Sequence, residues 1–167
     1  YPFHAINQRP MHMYHSWDSQ NAWLRQITAE NFLFMNRGRG ERLGIEDKSW
    51  VWVDSHHGRI RVQVKLMEGC QEDTVWTWNA IGKQSGAWGL SADAPESQRG
   101  FLMNHLISEL LPAADDERRL TNSDPVTGQA AWYDLQVSIT PAEPDEAGSS
   151  WPHFATVKPL PGATSPP

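Results

Sequence analysis

Cysteine is almost absent: Cys70 stands alone, so the chain closes no internal disulfide and builds no cysteine-ligated zinc or iron–sulfur site of its own. Long apolar runs are missing too, as is a charged-then-apolar leader, so nothing in the sequence reads as spanning a membrane. The chain begins at Tyr1 without an initiator Met and reads as a piece of something longer. Basic charge is in deficit, with 14 Lys and Arg against 20 Asp and Glu for a formal net charge of -6. That balance repels a phosphate backbone and argues against general nucleic-acid binding, so any anionic ligand has to be held locally. The single thiol leaves the redox compartment open, with the cytoplasm favoured over the periplasm.

Tryptophan is abundant, nine in 167 residues, and its default use is core and interface packing. Residues 49–78 carry strict two-residue alternation in three successive runs. Trp50-Val51-Trp52-Val53 and Ile60-Arg61-Val62-Gln63-Val64-Lys65-Leu66 are β-branched or aromatic at every second position, which places Ile60, Val62, Val64 and Leu66 inward. Asp54-Ser55-His56-His57-Gly58 joins them as a hairpin, its glycine free to take positive φ. Residues 69–73 then turn the chain into Thr74-Val75-Trp76-Thr77-Trp78, giving a β-meander within a barrel or sandwich.

Ahead of this core, residues 1–10 read as an entering arm or first strand, because Pro2 and Pro10 discourage a helix. Residues 11–24 follow as a polar elbow. Ser16 or Asp18 caps a short helix running to about Ile27, with Trp23, Leu24 and Ile27 on one face. Such an elbow offers free backbone N–H groups to an anion, pyrophosphate being the natural guest; the alternative is an ordinary capping turn. His12 and His15 are three apart, but no third ligand is near and a metal site is discounted. Phe32-Leu33-Phe34-Met35 is a buried strand, after which Asn36 caps a helix that Gly44 ends in the left-handed conformation. Gly38-x-Gly40 opens like a dinucleotide fingerprint, yet Leu43 occupies the third glycine position and no βαβ unit follows.

Residues 79–94 read as loop. Residues 97–111 place Phe101, Leu102, Leu106, Ile107 and Leu110 near helical spacing, an amphipathic helix that Pro112 stops. Residues 121–129 are turn chemistry before a closing strand over 132–139. Residues 1–140 are thus one barrel domain, and residues 141–167, rich in Pro, Ser and Gly, a flexible tail or an arm lying on a partner.

Three blocks together resemble a known family. Residues 9–24, Asn36 with Leu43-Gly44-Ile45 leading into the hairpin, and Asp124-Pro125-x-x-Gly128-Gln129 before the last strand are similar to the C-terminal domain of molybdopterin oxidoreductases. This is the dinucleotide-binding domain of the dimethyl sulfoxide reductase family, and the resemblance covers about residues 9–139. It implies a mainly β fold, a double-psi β-barrel with a few short helices. In the whole enzyme that barrel closes over molybdopterin guanine dinucleotide carrying molybdenum or tungsten. It sets Arg9, Tyr14, His15, Ser16, Ser19 and Gln20 against pterin and diphosphate, Asn36 near the guanine nucleotide, Asn104 in a later loop, and Gln129, Trp132 and Tyr133 beside a pterin. The family's usual proline and aspartate-alanine after the asparagine are replaced here by Arg37, Arg39 and Gly40.

The same resemblance assigns the iron–sulfur cluster, the metal-ligating side chain and the substrate funnel to upstream domains of the same polypeptide. This chain holds no catalytic residue and no metal ligand, and alone it is expected to bind without turnover. Residues 76–83 and the insert through Pro112 look most like the catalytic components of anaerobic sulfur-compound or formate oxidoreductases, with the sulfite or polysulfide type favoured. The implied partners are a membrane anchor subunit with an iron–sulfur electron-transfer subunit, and no nucleic acid. Two other readings stand beside this one. A pyruvoyl-dependent decarboxylase on the same barrel needs a Gly-Ser cleavage site, and the only one is Gly148-Ser149 in the tail. A stand-alone double-psi barrel acting as a protein-interaction module would use the tryptophans as its recognition surface.

Overall fold

The computed structural model describes residues 1–15, 17–19, 21–28, 30–79, 89, 91, 93, 94, 101, 103–107, 123, 124, 126–129, 135–146 and 150–152. Among these residues seven strands appear: β1 (Phe3–Gln8), β2 (Leu33–Asn36), β3 (Trp50–Asp54), β4 (Gly58–Met67), β5 (Thr74–Trp78), β6 (Gln136–Pro141) and β7 (Ser150–Pro152). Two short helices, α1 (Ala22–Arg25) and α2 (Arg37–Arg42), accompany them.

The alternation read from the sequence holds around the whole ring. Phe3 and Ala5 on β1, Leu33 and Met35 on β2, Val51 and Val53 on β3 all point inward and are buried. Ile60, Val62, Val64 and Leu66 on β4, Val75 on β5, and Val137 and Ile139 on β6 complete the lining. Spatial order is β2-β5-β1-β6-β3-β4, and a further pairing of β4 with β2 closes the ring. Two pairs are parallel, β1 with β5 and β2 with β4, while the others run antiparallel. Six strands closed through two interlocked parallel pairs make the double-psi β-barrel. Ile45, Phe101, Met103 and Leu106 join the core from outside the strands.

The β-meander is corrected by this order. β4 and β3 form the expected hairpin, with Val51 opposite Val62 and Val53 opposite Ile60, but β5 does not continue beside β4. It inserts between β2 and β1, because the second half of β4 is already paired with β2 over Leu33 to Asn36. Alternation reports which face is buried and is silent about the neighbour. The hairpin turn also differs in detail. Gly58 is not in the left-handed region. The buried Ser55 hydroxyl shapes the turn instead, accepting from His57 N at 3.0 Å and donating to Leu106 O at 2.8 Å.

α1 is shorter than expected and capped elsewhere. Asn21, not Ser16 or Asp18, is its N-cap, accepting from Trp23 N and Leu24 N, and none of its residues is buried. Trp23 and Ile27 lie in solvent, so there is no apolar face to extend the helix. α2 follows the expectation: Asn36 accepts from Arg39 N at 3.0 Å, and Gly44 closes the segment at φ 71°. At Gly40 a Cβ would meet Leu66 Cδ2 at 2.5 Å, so any larger residue would force the buried Leu66 side chain to shift. Of the helix expected over 97–111, the described part is a 3-10 turn (Met103–Leu106), which buries Met103 and Leu106; residues 97–100, Leu102 and 108–111 lie outside the described residues.

Beyond residue 140, residues 141–146 and 150–152 lie against the barrel. Arg61, itself buried, donates to the carbonyls of Glu143 and Pro144 at 2.8 and 2.6 Å and stacks over Trp50 at 4.1 Å. Burial lowers the pKa of its guanidinium, and the Glu146 and Asp145 carboxylates partly restore it. Trp52 Nε1 donates to Glu146 at 2.8 Å, and β7 pairs antiparallel with the first residues of β4. Cys70 is buried under Trp76, whose Nε1 donates to Sγ at 3.2 Å. Burial raises the pKa of this thiol, so it stays protonated and unreactive at neutral pH. Among the described residues no helix is long and apolar enough to cross a membrane.

Candidate functional site

Strand direction decides where polar residues can meet. β1, β3 and β5 finish at one end of the barrel; β2, β4 and β6 finish at the other. β1 and β5 are parallel and end in register, Gln8 beside Trp78, so the elbow after β1 and Asn79 after β5 leave the barrel side by side. Asn79 N donates to Gln8 O at 2.8 Å and fixes that juxtaposition.

The elbow is a series of tight turns, closed by Met13 N to Pro10 O, Trp17 N to Tyr14 O and Asn21 N to Asp18 O. Met13, 2% exposed, is its buried side chain. His15 and Asp18 adopt positive φ, 48° and 65°, a conformation non-glycine residues rarely hold without support. The Arg9 guanidinium lies 5.8 Å from the Tyr14 ring centre, the Tyr14 and His15 rings meet edge to face at 4.8 Å, and Asn79 Nδ2 lies 3.3 Å from His15 Nδ1. Arg9, Tyr14 and His15 are therefore brought together, with Asn79 added from β5. Ser16 and Gln20 lie outside the described residues.

Three polar atoms at this end, His12 Nε2, Ser19 Oγ and Asn79 Oδ1, are buried without a hydrogen-bond partner. Buried polar groups almost always have one, so such a cluster marks a place built for something more. A hydroxyl, an imidazole nitrogen and an amide oxygen are left over, with the Arg9 charge on the same elbow, a mixed set that suits an anion with a polar ring system. The expected contribution of a helix N-terminus is overturned: α1 has four residues, and Asn21 already takes the N–H groups of Trp23 and Leu24. Side chains carry the site. Among the described residues no three His, Cys, Asp or Glu groups come close enough to hold a metal ion.

Other residues singled out in the sequence lie elsewhere. Asn36 ends β2 and so sits at the barrel end opposite the elbow, where Oδ1 caps α2 and Nδ2 donates to Cys70 O at 2.8 Å. Nearby, a cavity of about 420 Å³ is lined by Arg37, Glu41, Gly44, Ile45, Glu46, Asp47 and Leu66. Three carboxylates against one guanidinium make it a poor host for phosphate, so the elbow end is favoured on charge. Asn104 is exposed on the 3-10 turn. Trp132 and Tyr133 lie outside the described residues, and Gln129 is exposed after the turn made by Asp124.

That turn explains the Asp-Pro-x-x-Gly-Gln block. Asp124 Oδ1 accepts from Thr127 N at 2.6 Å, Thr127 Oγ1 at 2.9 Å and Val126 N at 3.0 Å, and Gly128 takes φ 72°. The Thr127 amide and hydroxyl, then the Val126 amide, hold this carboxyl below its usual range. A depressed carboxyl stabilises the fold above its unfolded value and loses that contribution as pH falls through the folded one. Acidification below about pH 4 should therefore release the Val126 and Thr127 amides, read as proton chemical-shift changes, and Asp124→Asn should flatten the transition.

Two residues of the site escaped sequence reading. Asn31, 8% exposed, donates to Trp78 O and accepts from Phe32 N, Thr77 Oγ1 and Trp78 N, so it clamps the end of β5 from which Asn79 departs. Asn79 itself reads in sequence as the first residue of a loop. Each abuts an apolar run, and only the strand order reveals that they meet.

Comparison with known proteins gives a consistent picture. A family model described as Molydopterin dinucleotide binding domain matches residues 3–115. The chain is 53% identical over 162 residues to a sulfite dehydrogenase component of Allochromatium vinosum, a match that covers 97% of this chain and 17% of that protein. It is 28% identical over 97 residues, 54% of its length and 10% of the other, to dopamine dehydroxylase of Eggerthella lenta. Among solved structures, acetylene hydratase from Pelobacter acetylenicus superposes with a TM-score of 0.63 at 18% identity, over 85% of this chain and 18% of that one. The chain thus spans less than a fifth of the length of each of these relatives.

Proposed function

The chain belongs to the molybdopterin dinucleotide-binding domain family, and from that premise we propose that residues 9–19 and Asn79 hold the diphosphate and ring system of molybdopterin guanine dinucleotide at the elbow end of the barrel. The observation that carries this is the cluster of buried, unpartnered atoms: His12 Nε2, Ser19 Oγ and Asn79 Oδ1. The bound group supplies metal-centred redox chemistry. Ser19 Oγ donates to phosphate oxygen, and the Arg9 charge offsets the repulsion that a chain of net charge -6 exerts on an anion. His15 orients the rings.

For the longer protein we propose a sulfite-oxidising molybdenum or tungsten enzyme, supported by the 53% identity to a protein named as part of a sulfite dehydrogenase. Two electrons leave each sulfite, so an iron–sulfur electron-transfer partner is included, with a membrane anchor subunit as a further partner. The interaction-module reading finds support in the outer-face stack of Phe34 on Trp76 at 3.9 Å, with Trp78 edge-on to both. Those rings already satisfy one another, and the orphaned polar atoms stay unexplained by it.

In the full-length protein, His15→Ala and Ser19→Ala should each lower molybdenum and guanine nucleotide content about three- to tenfold under limiting cofactor, the loss of one or two hydrogen bonds. Asn36→Ala should cost about 1 kcal/mol of stability through the lost cap and leave occupancy of the folded fraction intact. Unchanged metal content in both elbow variants would reject the proposal.

A further inference from the structure

Of the nine large apolar side chains exposed among the described residues, five, Met11, Tyr14, Trp17, Trp23 and Ile27, fall between residues 11 and 27. Exposed apolar residues scattered singly need no explanation, but gathered on one short segment they mark a contact. Trp17 is 66% exposed, Trp23 78% and Ile27 66%. Trp23 and Ile27 stand four residues apart along α1 and its last turn, which Ile27 N and Thr28 N close on Leu24 O, so the two share a side. α1 buries nothing, and a four-residue helix has little stability of its own. A surface packed on Trp23 and Ile27 would supply it.

Resting on the reading of this chain as one part of a longer polypeptide, we infer that Trp17, Trp23 and Ile27 form a docking surface for an apolar face of the remaining polypeptide, one that also offers acceptors to the two indole N–H groups. Size selects this occupant. Covering the three side chains buries on the order of 400 Å² on this side, half of the ~800 Å² per partner that a free-standing interface uses. A second copy held by so little would dissociate, whereas a partner on the same polypeptide docks intramolecularly, at high effective concentration. The sulfite dehydrogenase component that matches 97% of this chain is matched over only 17% of its own length, so most of that protein lies elsewhere. The groups assigned to the cofactor are a separate set: His12 Nε2, Ser19 Oγ and Asn79 Oδ1 are buried, and the docking side chains are exposed.

The test is hydroxyl-radical footprinting of the full-length protein, native against urea-unfolded, read by peptide mass spectrometry. Left uncovered, side chains 66–78% exposed oxidise nearly as fast in the native protein as in urea. Docked, Trp17, Trp23 and Ile27 should oxidise about tenfold more slowly in the native protein, as do side chains in the desolvated core of an interface. Trp23→Glu sets a carboxylate against that face and should speed oxidation of Trp17 and Ile27 about fivefold. Ser19→Ala, which weakens only the cofactor, should leave them slow, and so should protein prepared without guanine nucleotide. Fast oxidation in the native protein, or no response to Trp23→Glu, would overturn the inference. Protection that disappears with the nucleotide would make the cofactor the cover, overturning the docking surface while the proposed function stands. Protection in protein that never takes up nucleotide would keep the docking surface and reject the cofactor reading. Protection that falls on dilution, or that appears only when a separate subunit is added, would assign the face to a second copy or to another chain and overturn the inference.

Discussion

Replacing Asn31 with alanine is expected to lower the unfolding free energy by about 3 kcal/mol, more than most polar substitutions, because several buried groups lose their partner at once. Nδ2 donates to Trp78 O at 2.7 Å, and Oδ1 accepts from Phe32 N at 3.0 Å, Thr77 Oγ1 at 3.0 Å and Trp78 N at 3.2 Å. Thr77 is fully buried, so its hydroxyl cannot turn to water once Asn31 is gone. Thr77→Val deletes one of these bonds and leaves the rest of the Asn31 network in place; it should cost about 1 kcal/mol. Urea unfolding followed by tryptophan fluorescence measures both. A loss below that of Thr77→Val would mean that the Asn31 bonds contribute nothing to holding β2 against β5.

Phe3→Ala is expected to cost about 4 kcal/mol, in the range of buried aromatic truncations. The ring is 2% exposed in the barrel core, and the Arg39 guanidinium lies 5.3 Å from its centre. Its backbone pairs with Val137 in β6. The site therefore joins the first strand, the closing strand and α2. Phe3→Leu, which keeps most of the volume, should cost about 1 kcal/mol. Equal denaturation midpoints for the two variants would show that the barrel collapses around the missing ring.

How much of this could be read from residues alone follows from what each signal encodes. Ile60, Val62, Val64 and Leu66 announce a buried strand face because burial and alternation are local facts, and the Asn36 cap and Gly44 terminus of α2 are local too. The neighbours of β5 are not local. Nothing in Thr74 to Trp78 says that it runs parallel to β1, and that pairing is what delivers Asn79 to His15. The cap of α1 went to Asn21 because three polar residues compete within one short stretch and backbone geometry chooses among them. Asn36 shows a second role that the sequence carries locally: its amide caps α2 through Arg39 N and ties the strand end to Cys70 O.

The stagger of the barrel has one more consequence. β2 covers β4 only over Val64 to Met67, and the other edge of residues 58–60 would stand bare if β7 did not lie along it. A bare edge of that kind recruits strands from neighbouring molecules. By folding its own C-terminal residues back onto β4, and anchoring them through Arg61 and Trp52, the chain occupies an edge where the ring could be extended, and so guards itself against polymerisation.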